Sequence, residues 1–177
     1  AAAILCIYEG ISIEIIQDSL LKFEGIDRRM QILGERRVNN NHCIYIDDYG
    51  HHPTEIEKTI EAIRESFSGY KINMVFQPHR FTRTHDLFDK FIDVLGAVDQ
   101  LLLLEIYSAG EKAIDGVDSS NIKKSLLNSG FNNVELFSNN DSIIKELDQN
   151  IDSDTVFVFQ GAGNISSISS AIKKEVS

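Results

Sequence analysis

The apolar run Cys43-Ile44-Tyr45-Ile46 leads directly into Asp47-Asp48-Tyr49-Gly50-His51-His52-Pro53-Thr54-Glu55, and from there into Ile56, Ile60, Ile63 and Phe67. Four consecutive apolar residues suit a buried strand, whereas apolar residues three and four apart mark one face of a helix. The polar stretch is therefore read as the turn between a strand and a helix. Pro53 fits a first helical position, and Glu55 is favoured near the positive end of the helix. In an open α/β sheet the turns outside the carboxyl ends of the strands are where ligands bind. Ahead of Pro53 this turn holds two carboxylates, a phenol, a glycine and two imidazoles, far more hydrogen-bonding chemistry than a connection needs. It is the first site candidate.

The same transition recurs along the chain. Ile72-Asn73-Met74-Val75-Phe76 runs into the turn Gln77-Pro78-His79-Arg80-Phe81-Thr82-Arg83-Thr84-His85. Pro78 keeps Gln77 extended, and His79, Arg80 and Arg83 lie close enough to converge on an anion. A basic surface loop would have the same composition. Leu101-Leu102-Leu103-Leu104 is a third buried strand, ending in Glu105-Ile106-Tyr107-Ser108-Ala109-Gly110-Glu111, where a carboxylate could hold an ammonium group, orient an arginine or simply be solvated. Val134-Glu135-Leu136-Phe137 is a fourth strand. Thr155-Val156-Phe157-Val158-Phe159 is the fifth and the most β-prone run.

Helices are predicted over 86 to 96, from Ile122 and Leu126 to a stop at Gly130, around Ile143, Ile144 and Leu147, and through Ile168, Ala171 and Ile172. Residues 30 to 37 read as a polar edge strand, with Asn39-Asn40-Asn41 as the turn that follows. Five buried strands alternating with helices predict an α/β domain with a doubly wound, mostly parallel, Rossmann-like sheet and right-handed crossovers. The turns at 47 to 55 and 77 to 85 are expected to end neighbouring strands and to share one crevice. In Gln160-Gly161-Ala162-Gly163-Asn164-Ile165 the glycines let backbone approach a ligand and expose amides at a helix start. The motif stops short of GxGxxG because residue 166 is serine, and it sits at the last strand instead of the first, which argues against a nicotinamide cofactor.

Upstream, Ala1-Ala2-Ala3-Ile4-Leu5-Cys6-Ile7-Tyr8 reads as an apolar helix closed by Gly10. Ser12 can cap a second helix bearing Ile13, Ile16, Leu20 and Phe23. Two short helices cannot enclose a core, so residues 1 to 26 are expected to be the remnant of a preceding domain and residues 27 to 177 the main one. Between them Gly25-Ile26-Asp27-Arg28-Arg29-Met30 places two arginines in the connection, either a solvated pair or a phosphate clamp. Adjacent side chains diverge, so at most one is expected to point into a site.

Composition narrows the function classes. The net charge of -10, from 17 basic and 27 acidic residues, argues against nucleic acid as a partner. Cys6 and Cys43 lie in apolar runs without CxxC spacing, which suits buried thiols in a reducing compartment, with cytoplasm as the default. No apolar stretch reaches the roughly 20 residues that span a bilayer, so no membrane is expected.

Taken together, the motifs from Asp47 to Glu55, from Gln77 to Thr84, Tyr107-Ser108-Ala109-Gly110-Glu111 and Gly161-Ala162-Gly163-Asn164-Ile165 resemble the C-terminal domain of the UDP-N-acetylmuramate:L-alanine ligases, within the Mur ligase family. The segment from Gly25 to Met30 resembles the end of that family's central ATPase domain. The resemblance implies an ATP-dependent ligase of peptidoglycan synthesis, which phosphorylates the lactyl carboxylate of UDP-N-acetylmuramate and lets the amine of L-alanine displace phosphate. Carried over, Arg29 would contact the ATP phosphates and Asp48 the ribose. Tyr49, His51, His79, Arg80 and Arg83 would form the alanine pocket, with Arg83 the best partner for its carboxylate. The family's GTxGKT-like loop, its Mg2+ ligands and its N-terminal uridine-nucleotide domain have no counterpart in these residues. The partners implied are therefore the N-terminal and central domains, and this chain alone is expected to be inactive. Two other readings are a stand-alone nucleotide- or anion-binding module and the related murein tripeptide ligase, whose second motif differs.

Overall fold

The computed structural model of the chain describes residues 2 to 23, 25 to 138, 143, 144, 146, 147, 149 and 151 to 176. Its strands are β1 (Gln31–Val38), β2 (Asn41–Asp48), β3 (Lys71–Phe76), β4 (Gln100–Leu104), β5 (Val134–Phe137) and β6 (Thr155–Gln160). They form one sheet in the order β1-β2-β6-β3-β4-β5. All neighbours from β2 to β5 pair in parallel, and β1 pairs antiparallel with β2. The helices are α1 (Ala2–Tyr8), α2 (Ile13–Leu21), α3 (Pro53–Ser66), α4 (Phe81–Asp86), α5 (Phe88–Leu95), α6 (Ser119–Asn128) and α7 (Ser166–Val176). Among the described residues no helix is long and apolar enough to cross a membrane.

Side chains alternate across a strand, and the two cores follow that alternation. Ile44 and Ile46 of β2, Ile72, Met74 and Phe76 of β3, Leu101 and Leu103 of β4, and Val156 and Val158 of β6 pack under α3, α5 and α6. Their neighbours Cys43, Tyr45, Val75, Leu102, Leu104, Phe157 and Phe159 face the other way, against Ile165, Ile168 and Ile172 near and on α7. Continuous apolar runs are what strands covered on both faces require. The predicted helix around Ile143, Ile144 and Leu147 lies largely outside the described residues, although Ile143 and Leu147 are buried in this second core.

The polar edge strand folds back as a hairpin. Asn39 and Asn40 both have positive φ, 51° and 68°, the geometry of a two-residue primed turn whose twist matches the strands it joins. Asparagine tolerates that region better than most side chains.

Two sequence expectations change. The strands that carry the first two candidate turns, β2 and β3, are not neighbours, because β6 lies between them and pairs with both. A chain order cannot reveal which strand is inserted into a gap left by a crossover. The helix expected from 86 to 96 instead begins at Phe81, breaks at Leu87 with φ -118° and ψ 20°, and resumes at Phe88. Its early start has a distant cause: the Glu111 carboxylate accepts from the Thr82 amide at 3.0 Å and from the Thr82 hydroxyl at 2.8 Å. That caps a helical turn which local sequence leaves open.

Candidate functional site

Alternation also sorts the two carboxylates at the end of β2. Asp47 and Asp48 are both buried, but on opposite faces of the sheet. Asp47 accepts from the Ser169 hydroxyl of α7 at 2.9 Å and pairs with Arg28 Nε at 3.2 Å. Burial raises its pKa above the ordinary carboxylate value, against the opposing pull of Arg28 and Ser169. Asp48 instead gathers donors on the α3 side. Its Oδ1 accepts from the Gly50 amide at 2.8 Å, Gln160 Nε2 at 2.7 Å and the Thr59 hydroxyl at 3.3 Å, and its Oδ2 from the Met30 amide at 2.9 Å. A carboxylate with this many donors fixes the connection before β1, the turn after β2, the start of α3 and the end of β6 relative to one another.

Gln160 stands at the centre of this arrangement. Its Nε2 also donates to the Gly50 carbonyl at 2.8 Å, while its buried Oε1 has no hydrogen-bond partner among the described residues. Gln77, at the end of β3, plays a similar part for the last turn, donating to Asn164 Oδ1 at 2.6 Å and accepting from the Ile165 amide at 3.1 Å. The glycines of that turn therefore serve close approach of the protein to itself. A Cβ on Gly163 would meet Gln77 Oε1 and the Tyr107 ring, and the Gly161 amide already donates to the Asp48 carbonyl at 3.0 Å.

The two arginines of the connection do not diverge. Positive φ at Arg28 (58°) and Met30 (46°) folds it tightly, and both guanidinium carbons come over the Tyr49 ring, at 5.1 Å and 5.5 Å from its centroid. Arg28 turns inward to Asp47 and the Gly161 carbonyl. Arg29 stays half-exposed, 3.5 Å from Glu55.

His51, Tyr49, His79 and Arg83 form one wall. The His51 and His79 rings are 5.7 Å apart, His51 meets the Tyr49 ring edge-on at 5.4 Å, and His79 stacks on Tyr107 at 5.4 Å. Arg83 Nη1 donates to the His79 carbonyl at 3.0 Å and lies 3.3 Å from His79 Nδ1. Burial, and then the charges of Arg83, His51 and Arg80, hold the His79 pKa below the usual imidazole value. Arg80 sits beside them at φ +78°, a conformation strained for a non-glycine residue and found mostly at functional sites. Its amide donates to the Tyr107 carbonyl at 2.8 Å, and its side chain reaches Glu111 at 3.4 Å. The Thr82 amide, the Thr82 hydroxyl and Arg80 keep Glu111 ionised below the ordinary carboxylate range.

His52 is separate from this wall. Its Nδ1 accepts from the Thr54 amide at 3.3 Å, and Glu55 in turn accepts from the His51 and His52 amides, which closes a capping box on α3. His52→Ala is expected to cost about 1 kcal/mol of stability by urea unfolding, the usual loss for a cap, while leaving the other site side chains in place.

Tyr49, His51, His79, Arg80 and Arg83 are thus brought together, and Arg29 comes over the Tyr49 ring. Arg29 and Asp48 line a groove of about 360 Å³ with Met30, Glu55, Lys58 and Thr59. Of Gln160, Gln77, Tyr107 and Glu111, sequence reasoning weighed only Glu111, among the carboxylates that could orient an arginine, as it does Arg80. Three of these four stand within or beside the quoted motifs and Gln160 directly precedes one, yet only the fold shows what each touches.

Comparison with known proteins identifies the family and the fold. Residues 28 to 163 match the family described as Mur ligase, glutamate ligase domain. A UDP-N-acetylmuramate–L-alanine ligase of Buchnera aphidicola subsp. Acyrthosiphon pisum is 42% identical over 97% of this chain, which spans 37% of that relative's length. The solved structure of a UDP-N-acetylmuramate–alanine ligase from Thermotoga maritima matches 97% of this chain and 35% of its own, with 26% identity and a TM-score of 0.74. A murein peptide ligase from Psychrobacter arcticus shares the fold at 21% identity and a TM-score of 0.65, over 90% of this chain and 32% of its own. The chain belongs to the Mur ligase family and represents its C-terminal domain.

Proposed function

We propose that this chain supplies the amino-acid pocket and one edge of the ATP site of a cytoplasmic ligase that joins L-alanine to UDP-N-acetylmuramate in peptidoglycan synthesis. The observation that carries the reading is the single wall formed by His51, His79 and Arg83, drawn from the ends of two strands that flank β6. A free amino acid offers one carboxylate, one ammonium group and, in alanine, one methyl group. Arg83 uses only Nη1 on His79 among the described residues, which leaves the rest of its planar donor fork for a carboxylate. Arg80, turned toward Glu111, adds positive charge at the rim.

Over the Tyr49 ring, the half-exposed Arg29 would meet ATP phosphates. Asp48 Oδ2, with one protein donor, keeps a lone pair for a ribose hydroxyl. ATP is the co-substrate that activates the lactyl carboxylate as an acyl phosphate. Among the described residues no group of His, Cys, Asp or Glu is placed to hold a metal ion. In this reading Mg2+ and the phosphate cradle belong to a central domain, and UDP-N-acetylmuramate is bound with the help of the N-terminal one.

The test is Arg83→Lys in a full-length ligase containing this domain. Lysine keeps the charge and loses the bidentate geometry. Alanine affinity should fall by roughly ten-fold to a hundred-fold, the worth of a charge-assisted hydrogen bond of about 1.5 to 3 kcal/mol. Acyl-phosphate formation, followed by positional isotope exchange in ATP, should be nearly unchanged. Unaltered alanine dependence in the folded variant would remove Arg83 from the pocket.

A further inference from the structure

The two pocket histidines have different partners, and the partners fix different tautomers. His51 Nδ1 lies 3.2 Å from the Tyr49 carbonyl oxygen, which can only accept. Nδ1 must therefore carry the proton. In a neutral imidazole, that leaves Nε2 as a bare lone pair. The Glu55 carboxylate, 3.8 Å from the same Nδ1, favours positive charge arriving on that ring. Burial raises the Glu55 pKa, but the His51 and His52 amides, with the charges of His51 and Arg29, outweigh it and hold the group below the usual range. It is a carboxylate at neutral pH.

His79 is wired the other way. Its Nδ1 lies 3.3 Å from Arg83 Nη1, and a guanidinium can only donate. Nδ1 is the acceptor, so the proton of neutral His79 sits on Nε2. Protonating His79 would set two donors against each other beside Arg83 and Arg80, in agreement with its lowered pKa. Neither Nε2 has a hydrogen-bond partner among the described residues. One wall thus presents a proton acceptor and a proton donor about one ring apart.

We propose that His51 is the general base that takes the proton from the ammonium group of the incoming amino acid, and that His79 is a neutral donor which holds that amino acid beside Arg83. The proposal rests on the alanine-pocket reading and assigns the chemistry within it. An ammonium nitrogen carries three protons and an amide nitrogen one. The first proton passes to His51 Nε2, which frees the nitrogen lone pair. That pair forms the bond to the carbonyl carbon of the acyl phosphate, the carbon–oxygen bond to phosphate breaks, and its electrons leave with the phosphate oxygen. The second proton goes to that phosphate, and His51 returns the first to solvent. Glu55 and the Tyr49 carbonyl act as positioning groups, because they hold the His51 tautomer and stabilise the imidazolium. The charged and titratable groups facing His51 are Glu55 from α3, His79 from the turn after β3, and Tyr49 with Arg28 and Arg29 over its ring.

Two measurements test this. In this 177-residue chain labelled with 15N-histidine, long-range 1H–15N spectra of the neutral imidazoles, recorded at alkaline pH, should show the Nδ1–H tautomer for His51 and the Nε2–H tautomer for His79. The reverse tautomer at His51 overturns the assignment without any need for activity. In a full-length ligase containing this domain, His51→Gln should lower kcat about a hundred-fold or more, within the usual range for general base catalysis. It should also abolish the acid limb of the pH profile and change the KM for alanine by only a few-fold. His79→Gln should do the opposite, raising the alanine KM while keeping the acid limb. If His51→Gln moves KM alone, His51 is not the base, although the pocket reading survives. If neither variant alters the alanine dependence, the pocket reading fails with it.

Discussion

Replacing Arg28 by alanine is expected to lower the unfolding free energy by about 3 to 5 kcal/mol at pH 7, the usual loss when one partner of a buried ion pair is removed. Asp47 would keep the Ser169 hydroxyl and lose its cation while still 4% exposed. The Gly161 carbonyl and the Tyr49 ring would lose a partner as well. The deficit should depend on pH in a definite direction. The folded-state pKa of Asp47 already stands above its unfolded value, and without Arg28 it rises further. Between those two values the folded state binds more protons than the unfolded chain, so the stability of the variant increases as pH falls through the window. Urea midpoints for Arg28→Ala should therefore approach those of the parent as pH falls toward about 4.5, near the unfolded carboxylate range. Asp47→Asn placed on top of Arg28→Ala should recover most of the loss at pH 7. An equal loss at both pH values would show that Asp47 is not the group left uncompensated.

Gly50→Ala is expected to cost about 3 kcal/mol, although alanine suits most backbone positions better than glycine. The reason is space alone, because Gly50 does not lie in the left-handed region. A Cβ there would meet Gln160 Nε2 and, at 2.6 Å, Asp48 Oδ1, with Glu55 Cβ at 3.2 Å. Overpacking a tight site costs about 1 to 3 kcal/mol, and each buried polar group left unpaired adds about 1 to 3 kcal/mol more. Gln160 cannot retreat without giving up Asp48 or the Gly50 carbonyl, and its Oε1 already lacks a partner among the described residues. The same change should weaken nucleotide binding in a full-length ligase, because Asp48 lines the groove next to Arg29. Calorimetric melting of Gly50→Ala within about 0.5 kcal/mol of the parent, the range of an ordinary surface substitution, would mean that the turn has room to shift.

Much of the architecture could be read from local pattern. The apolar runs at 43 to 46, 72 to 76, 101 to 104 and 155 to 159 are strands buried on both faces, and their polar ends mark the site because strands in such a sheet end on one side. Less legible were features set by residues far apart in the chain. The insertion of β6 between β2 and β3 depends on pairing, which apolar runs do not encode. The early start of α4 depends on Glu111, 29 residues from Thr82. The convergence of Arg28 and Arg29 on the Tyr49 ring depends on two positive φ angles at non-glycine residues. Residue type suggested where ligands would be met. Hydrogen-bond partners were needed to show that His52 caps a helix while His51 turns its Nδ1 to the Tyr49 carbonyl.

The position of β6 also has a consequence for how the molecule is made. A nascent chain leaving the ribosome can form the hairpin of β1 and β2, and then the group of β3, β4 and β5, while the strand that joins them is still being synthesised. Until residue 160 emerges, the inner edges of β2 and β3 are unpaired, apolar and open to the wrong neighbour. The bonds that then close the sheet are long-range, with Gln160 reaching back 112 residues to Asp48. Closure of this kind is slow relative to local folding. The seam that a chaperone would have to shield is thus the one along which the site is later assembled. A premature stop between β5 and β6 leaves the edges of β2 and β3 unpaired and the turns that follow them unjoined.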